Sequence, residues 1–225
     1  DGPLSIDAIT DALDIPKSTA YRYTKTLTDR GFLEKGVQAG TYRLGRVFLE
    51  LGQAVYASNR DLLRAALPPM MALADAIGES VSLMRLMNGR AVCIESIEGR
   101  HALRVAIQRG RSQPLHAGAS SRLLLAYQPE ASWATSLQTP MEPYTENTIT
   151  HPDTLFDNLR EVQGRGYAVS DGEIDSGARA VAVPLWDAYE TVVAALSIEA
   201  PASRLPDSLL SEYVEQLLAT AKVIG

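Results

Sequence analysis

The sequence predicts an α+β fold in which a small N-terminal unit precedes a larger domain. Three observations lead to this prediction. The first 60 residues combine two helical patterns with a short hairpin pattern, and strand patterns alternate with amphipathic helices after Leu67. The charge also changes, from eight Lys/Arg and seven Asp/Glu in residues 1–60 to thirteen and twenty in residues 61–225. With 225 residues, 46% of them hydrophobic, the chain is long enough for two packed units.

The N-terminal unit begins with two helical patterns that are separated by a tight turn. Ser5 is placed to cap a first helix that extends to about Leu13. Asp14-Ile15-Pro16 is typical of a turn, and proline is favoured where a helix starts. The second helix is predicted from about Lys17 to Arg30, with Gly31 as its C-terminal cap. Its inward face is predicted to consist of Ala20, Tyr23, Thr24 and Leu27.

A short β-hairpin is predicted after the second helix. Residues 32–35 and 41–44 have strand character, and the connecting residues 36–40 begin and end with glycine. The order helix, turn, helix and hairpin predicts a winged helix-turn-helix, whose second helix enters the major groove of DNA with its N-terminus first. We therefore assign residues 1–45 to a DNA-binding domain. The alternative is a solvated amphipathic helix on an ordinary α/β protein.

The local charge favours the DNA-binding hypothesis, although the chain carries a net charge of −6. Residues 15–46 contain seven Lys/Arg and two Asp/Glu, and DNA responds mainly to the nearest face of a protein. Arg22 is the best candidate for a base contact, because a guanidinium can bind guanine through two hydrogen bonds. Phosphate contacts are expected from Lys17 and Lys25, and a flanking groove contact from Arg43. The candidate DNA-binding residues are Lys17, Ser18, Thr19, Tyr21, Arg22, Lys25, Tyr42 and Arg43.

A third helical pattern runs from Gly45 to about Leu63, and we assign residues 46–64 to a linker helix. Such an apolar stripe packs within a domain or against a second chain, and we expect both here. DNA readers of this kind usually bind paired half-sites on double-stranded DNA as dimers. The stripe consists of Val47, Phe48, Leu51, Ala54 and Val55.

Residues 65–225 are predicted to form one domain of mixed strands and helices. Pro68-Pro69 are expected to start a helix that covers about Met70 to Ile77, and Asn88-Gly89 predicts a hairpin. Such a domain can enclose a small-molecule pocket. The predicted strands are residues 80–87, 91–97, 102–108, 166–170, 178–186 and 191–199, and the predicted helices are 117–127, 152–163 (stopped by Gly164) and 206–223.

Two segments have the character of a ligand site. Residues 115–121 are mostly small and lead into a helix, whose unpaired N–H groups can hold a carboxylate. The alternative is a close packing turn between helix and sheet. Three alanines share one face of a strand and leave room for a ligand or for a helix; they are Ala178, Ala180 and Ala182. Candidate counter-ions, each also consistent with an ordinary surface arginine, are Arg104, Arg122 and Arg179.

The chain contains five segments in a specific order: IPKSTAYRYTKTLTDRGFLEK, GTYRLGRVFLELG, QPLHAGASSRLLLA, GYAVSDGEIDSGARAVAVPL and VVAALSIEAPASRL. With these segments the chain resembles the IclR family of bacterial transcriptional regulators over nearly its whole length. The resemblance implies a winged helix-turn-helix, a linker helix and a GAF-like domain with a mainly antiparallel sheet. It also implies homodimers, often tetramers. The family has one more helix before the helix-turn-helix, and we expect that helix to be absent or disordered here.

The resemblance further implies an effector pocket for a small organic or aromatic acid. Two positions depart from the family. Ala180 stands where the family often has cysteine, which favours a roomier pocket and an aromatic or longer acid. Glu199 stands where a small or neutral residue is common, and it would repel a carboxylate unless it is protonated, paired with an arginine or bound to a ligand hydroxyl. The implied pocket residues are Gly118, Ala119, Ser120, Ser121, Ser170, Asp171, Ala178, Ala180, Ser197 and Glu199.

The sequence predicts a regulator of catabolic genes rather than an enzyme. It contains no Gly-x-Ser-x-Gly motif, phosphate loop or dinucleotide fingerprint, so we assign no catalytic residue and no cofactor. Its three histidines, His116 included, are isolated and Cys93 is the only cysteine, so no metal site is expected. The alternative is a small-molecule-binding module or a GAF-type redox enzyme that uses the N-terminal helices for dimerisation. Without an apolar run near the roughly 20 residues of a membrane span or a signal pattern, we expect a cytoplasmic protein.

Overall fold

The computed structural model describes residues 2–137 and 140–225. The chain divides into an N-terminal unit that ends at Arg60 and a C-terminal unit, Asp61–Gly225. Both units combine helices with antiparallel strands, so the predicted α+β class is confirmed. Among the described residues, no helix is both long and apolar enough to cross a membrane.

The N-terminal unit starts with two helices whose ends follow from their local sequence. The Ser5 hydroxyl accepts a hydrogen bond from the Ala8 N–H over 3.1 Å, and Asp14 ends the first helix with a φ of 49°. Pro16 precedes the second helix, as predicted. The described elements of this unit are β1 (Leu4–Ser5), α1 (Ile6–Leu13), α2 (Lys17–Asp29), β2 (Leu33–Lys35), β3 (Thr41–Leu44) and α3 (Val47–Ser58).

The predicted hairpin is part of a three-stranded sheet in the order β1-β3-β2. The additional strand β1 was not predicted, because two residues are too short to show an alternating pattern. The inward face of α2 is narrower than its apolar pattern indicates. Ala20 and Thr24 are buried, but Tyr23 and Leu27 are 50% and 41% exposed, since so small a unit has little core to cover them.

The C-terminal unit is built on one antiparallel sheet in the order β6-β5-β4-β9-β8-β7. Asn88 and Gly89, with φ values of 50° and 73°, form the predicted tight turn between β4 and β5. Its described elements are α4 (Arg60–Ile77), β4 (Ser80–Met87), β5 (Arg90–Ile97), β6 (Ser112–Gln113), α5 (Ala119–Ala126), α6 (Trp133–Ser136), α7 (Pro152–Arg165), β7 (Ala168–Asp171), β8 (Ala178–Trp186), β9 (Val192–Pro201) and α8 (Asp207–Ile224).

Helices cover both faces of this sheet, and the alternation along β8 and β9 assigns each side chain to one face. Val181 and Val183 of β8 join the core formed with α4 and α8. Ala182 of β8 and Ala195 of β9 join the opposite core, formed with α5 and α7. The predicted alternation of alanines and larger aliphatic residues on β8 is therefore present. Small residues on the α5 face allow that helix to approach the sheet closely.

Two predictions about the helices before the sheet are wrong. The pattern assigned to one helix from Gly45 to Leu63 forms α3 and α4, with Asn59 between them. Pro68 and Pro69 lie inside α4 rather than at its start. An interior proline costs a helix roughly 3 kcal/mol. Ala66 and Met70 are completely buried on either side of the two prolines, and this packing outweighs the local preference.

Two further predictions fail because another segment supplies the structure. Residues 102–108 do not form a strand, since the edge of β5 pairs with residues 110–113 instead. The Cys93 N–H donates to the Arg111 carbonyl over 2.9 Å, and the Gly110 N–H donates to the Cys93 carbonyl over 2.8 Å. Gly164 lies within α7, which ends at Arg165 and is capped by Gly166, where φ is 79°.

Candidate functional site

The outer surface of α2 presents the residues that were predicted to contact DNA. The side chains of Lys17, Ser18, Tyr21, Arg22 and Lys25 are exposed, whereas Thr19 is half-buried. They are exposed because α2 uses the opposite side, with Ala20 and Thr24, for packing. Tyr42 and Arg43 lie on β3 of the hairpin, with Tyr42 half-buried and Arg43 exposed.

Some of these cations already have acidic neighbours. Nζ of Lys17 lies 2.6 Å from Oδ1 of Asp7, and the hydrogen bond to that carboxylate raises the pKa of Lys17. Arg43 lies 3.0 Å from Glu34 across the hairpin. Within the described part of the chain, Arg22 and Lys25 form no ion pair. Exposed ion pairs are weak, so phosphate can compete for Lys17 and Arg43, while Arg22 and Lys25 are accessible without competition.

The C-terminal unit contains a cavity at the start of α5, which we call the α5 pocket. Its volume is about 70 Å³, counted as space for the centres of water molecules, several times the roughly 10–15 Å³ that one water needs. Seven residues implied by the resemblance line it, namely Gly118, Ala119, Ser120, Ser170, Ala178, Ala180 and Glu199. Arg179, predicted as a candidate counter-ion, also lines it. The lining residues that the sequence did not indicate are Val105, Ala106, Ile107, Arg111, Gln113, Ile174 and Asp175.

Three implied pocket residues do not line the cavity directly. Ser197 is fully buried behind it, and its hydroxyl accepts a hydrogen bond from Ser120 over 2.9 Å. The Ser121 hydroxyl is 3.4 Å from Oε1 of Gln113. Asp171 is exposed, with its carboxylate 3.6 Å from Nε of Arg179. The polar run before the small-residue segment, with Arg111 and Gln113, was the available sign that residues 105–113 belong to the pocket.

The N-terminus of α5 is partly occupied by the protein's own carboxylate. The Gly118 N–H donates to Oε2 of Glu173 over 3.0 Å, and Glu173 also forms a buried ion pair with Arg122. Gly118 has a φ of 90°, and a Cβ there would lie 3.0 Å from Cδ1 of Ile174. Glycine therefore allows the close approach. The N–H groups that follow Gly118 in the first turn of α5 have no partner within the helix. They are the groups that could bind a ligand carboxylate at this helix N-terminus.

The three candidate counter-ions are all engaged elsewhere. Arg104 pairs with Glu98, and Arg122 is 99% buried against Glu173 rather than in the pocket lining. Arg179 lines the pocket but pairs with Asp207 and donates to the Leu205 carbonyl over 2.8 Å. Arg111 is the alternative, because it is exposed at the pocket and forms no ion pair within residues 2–137 and 140–225.

Glu199 is a buried carboxyl group within the pocket lining. Its Oε1 accepts hydrogen bonds from the hydroxyls of Ser82 and Ser197, both over 2.6 Å. Its Oε2 is buried and has no hydrogen-bond partner among the described residues. Burial raises the pKa of Glu199 to about 7, against the opposing effect of the two serine hydrogen bonds. The neutral acid is therefore populated near neutral pH, where an ordinary glutamic acid side chain is almost fully ionised.

Cys93 and His116 have structural surroundings. Burial, and then the nearby Glu199, raise the pKa of the Cys93 thiol to about 12, which disfavours the reactive thiolate. A ring nitrogen of His116, Nε2, lies 2.9 Å from the Glu142 carbonyl oxygen. Within the described residues there is no cluster of three or more His, Cys, Asp or Glu that could hold a metal ion.

A winged helix-turn-helix followed by a domain with a small-molecule cavity defines a ligand-responsive, DNA-binding transcriptional regulator. The chain belongs to the IclR family of such regulators. The sequence model described as the IclR helix-turn-helix domain matches residues 1–36, and the one described as bacterial transcriptional regulator IclR C-terminal matches residues 54–225. The resemblance stated above is thereby confirmed.

Curated relatives and solved structures agree with this family. The chain is 31% identical to the HTH-type transcriptional regulator KipR of Bacillus subtilis, over 99% of this chain and 88% of KipR. It is 33% identical to the HTH-type transcriptional repressor AllR of Escherichia coli, over 100% of this chain and 83% of AllR. An IclR homolog from Microbacterium hydrocarbonoxydans, complexed with 4-hydroxybenzoate, has a TM-score of 0.82 at 28% identity, over 99% of this chain and 90% of that one. KipR and AllR are transcriptional regulators, which confirms the prediction of a regulator over an enzyme.

Proposed function

We propose that this protein regulates catabolic genes and that a small organic acid controls its binding to DNA from the α5 pocket. The observation that carries this proposal is a cavity at the N-terminus of α5 with a floor of small residues, Ala178 and Ala180. Helix N–H groups favour an anion, and Arg111 at the same pocket adds a positive charge. The effector binds to the C-terminal unit and the operator to the N-terminal unit, so the two ligands share one coupling free energy.

The effector we propose is an aromatic or longer-chain carboxylic acid rather than one of two or three carbons. Apolar atoms of Ile107, Ile174 and Ala180 contribute to the lining and can contact a ring or a chain. The related Microbacterium protein is complexed with 4-hydroxybenzoate, an acid of this class. Residues around the pocket therefore combine an apolar wall with an anion-binding end.

The DNA side of the proposal assigns α2 and the hairpin to an operator with paired half-sites. Arg22 would contact a base edge, and the other exposed cations would contact phosphates. We propose a homodimer, and a tetramer as its further assembly, with residues 1–45 as the DNA-binding domain, 46–64 as the linker and 65–225 as the effector domain. Exposed apolar side chains on α3 support a second copy as partner, with Phe48 at 45% and Val55 at 51% exposure.

Fluorescence anisotropy of the intact protein on the DNA upstream of its own gene tests both halves of the proposal. We expect binding that weakens steeply with salt, because each neutralised phosphate releases counterions. One member of a panel of aliphatic and aromatic carboxylic acids should then change the affinity. Salt-insensitive or absent duplex binding, together with turnover of a panel compound, would favour the GAF-type redox enzyme instead.

A cavity-filling variant locates the effector site. Ala180→Leu adds three carbons to the pocket floor, so it should weaken the response to the effector while DNA binding without effector is retained. Ala188→Leu makes the same change at an exposed position between β8 and β9 and is the matched control. An unchanged effector response in Ala180→Leu would move the effector site elsewhere.

A further inference from the structure

The α5 pocket contains a carboxyl group that the protein does not neutralise. Glu199 is only 3% exposed, and its two hydrogen-bond donors are the neutral hydroxyls of Ser82 and Ser197. No cation is bonded to it among the described residues. A buried carboxylate without a cation is strongly disfavoured, whereas the neutral acid is easily accommodated.

The hydroxyl groups around Glu199 define which of its oxygens carries the proton. Ser120 donates to Ser197 over 2.9 Å, and Ser197 donates to Oε1 of Glu199. Ser82 donates to the same Oε1, so this oxygen is already an acceptor of two hydrogen bonds. The proton of the neutral acid therefore resides on Oε2, which has no acceptor in the described protein.

A ligand carboxylate at the start of α5 would lie close to Glu199. Ser120 lines the pocket in the first turn of α5 and is connected to Glu199 by two successive hydrogen bonds through Ser197. Two carboxylates that are separated by only two hydrogen bonds in a partly buried site repel each other. A carboxylic acid, in contrast, donates a strong hydrogen bond to a carboxylate.

We propose that Glu199 is a specificity-determining residue that binds the effector as a neutral acid, so that a monocarboxylate and one proton enter the α5 pocket together. This inference rests on the proposed function of the pocket. It adds that Glu199 is protonated when the effector is bound. The unoccupied donor at Oε2 then finds its acceptor in the ligand. The protein thereby selects for ligands that present an acceptor to Oε2, because a ligand without one leaves this donor unpaired.

The other ionisable groups around Glu199 are neutral, paired with another residue, or located elsewhere in the pocket lining. Cys93 on β5, which β4 separates from β9, has a raised pKa and stays neutral, and the buried Glu95 on the same strand pairs with Arg109. Residues Ser80 and Ala180, which flank Glu199 on β4 and β8, carry no charge. The remaining charged groups are Arg111, Asp175 and Arg179 in the pocket lining, and the Arg122–Glu173 pair behind Gly118.

The first experiment is calorimetric titration of the intact wild-type protein with benzoate, whose carboxylate is its only polar group. Since the pKa of Glu199 is about 7 before benzoate binds, benzoate should bind about tenfold more tightly at about pH 6 than at about pH 8. Titrations in two buffers with different ionisation enthalpies should show about one proton taken up per benzoate at the higher pH. If the wild-type protein binds benzoate without taking up a proton, the inference is overturned by this experiment on its own.

The second experiment uses Glu199→Gln, which keeps an acceptor for the serine hydroxyls and a donor for the ligand but cannot ionise. Its benzoate affinity should be independent of pH in this range and about tenfold higher than that of the wild type at about pH 8. Glu98→Gln removes an exposed carboxylate outside the pocket and should retain the wild-type pH dependence. If the benzoate affinity of wild type and of Glu199→Gln depends equally on pH, another group such as a histidine is responsible. That outcome would overturn this inference but leave the proposed function intact. No binding of benzoate or of any panel acid, at any pH, would overturn the proposed function and this inference with it.

Discussion

The backbone N–H of Gly118 donates a hydrogen bond to the carboxylate of Glu173 over 3.0 Å, which connects the start of α5 to the segment after β7. The same carboxylate pairs with Arg122 one turn further along α5. The helix that forms one side of the α5 pocket is thus held at its N-terminus by a buried ion pair. The ion pair is part of the support of the pocket and not part of its ligand-binding surface.

Gly118→Ala should destabilise the C-terminal unit. The glycine has a φ of 90° and a ψ of 150°, a region that is nearly restricted to glycine, so the variant should lose about 1–3 kcal/mol of unfolding free energy. Urea denaturation followed by tryptophan fluorescence measures this loss, since Trp133 and Trp186 both lie in the C-terminal unit. Gly164→Ala is the control. Its Cβ meets no atom within 4 Å inside α7, so this variant should gain about 0.5–1 kcal/mol.

Glu173→Gln should cost more than an ordinary surface substitution. It leaves the guanidinium of Arg122, which is only 1% exposed, without its buried counter-charge, and losses of about 3–5 kcal/mol are typical of such sites. The same denaturation assay measures the effect. Glu130→Gln removes an exposed carboxylate that pairs with Arg160 and should change stability far less. Equal effects of the two variants would contradict a structural role for the buried pair.

The N-terminal unit was predictable because its signals are local. Ser5, Pro16 and the glycines of the hairpin determine helix ends and turns within a few residues of themselves. The strands joined by Asn88-Gly89 were predictable for the same reason. The prolines of α4 and the edge partner of β5 were not, since packing and pairing between distant segments decide them. Residues 102–108 have strand character but lose the edge position to residues 110–113.

The pocket could be predicted only in part. Small residues before α5 and alanines on β8 indicated a space, and seven implied residues line it. The sequence could not indicate that Glu173 takes the first helix N–H or that Arg122 is buried with it, because 51 residues separate the pair. The open question about Glu199 was whether it is protonated, paired with arginine or bound to a ligand hydroxyl. Burial and the absence of a bonded cation within the described residues favour protonation, and they outweigh the opposing effect of the two serine hydrogen bonds.

The stability of the wild-type protein should fall as pH rises toward neutrality because of Glu199. Folding raises the pKa of this group from 4.5 to about 7, so the folded state binds the proton more tightly than the unfolded chain. The stabilising contribution of the neutral acid is complete below about pH 4.5, is lost progressively up to about pH 7 and stays lost above it. Denaturation curves of wild type and Glu199→Gln should therefore converge below about pH 4.5. At about pH 8 the variant should be more stable, by up to about 3 kcal/mol.

Glu98→Gln provides the comparison for this pH series. It also removes one negative charge, but from a site that is 57% exposed, and should follow the wild type at every pH. If the wild-type and Glu199→Gln curves run parallel between about pH 5 and about pH 8, the carboxyl group of Glu199 does not change its protonation there.

Arg22→Ala should weaken selective operator binding without disturbing the fold of the N-terminal unit. Arg22 is exposed on α2, forms no ion pair within the described residues and has its guanidinium 5.8 Å from the Tyr23 ring centre, so its removal leaves no buried group unpaired. Loss of a two-bond base contact costs about 1–3 kcal/mol, which corresponds to roughly fivefold to 150-fold weaker binding. Anisotropy with operator and scrambled duplexes measures this loss, and circular dichroism checks the helices.

Arg22→Lys keeps the charge but not the paired donors, so it should retain salt-dependent binding and lose selectivity. Lys222→Ala, an exposed cation on α8, should bind like the wild type. If Arg22→Ala binds the operator with unchanged affinity, α2 is not the recognition helix, and the basic surface of this unit has another purpose.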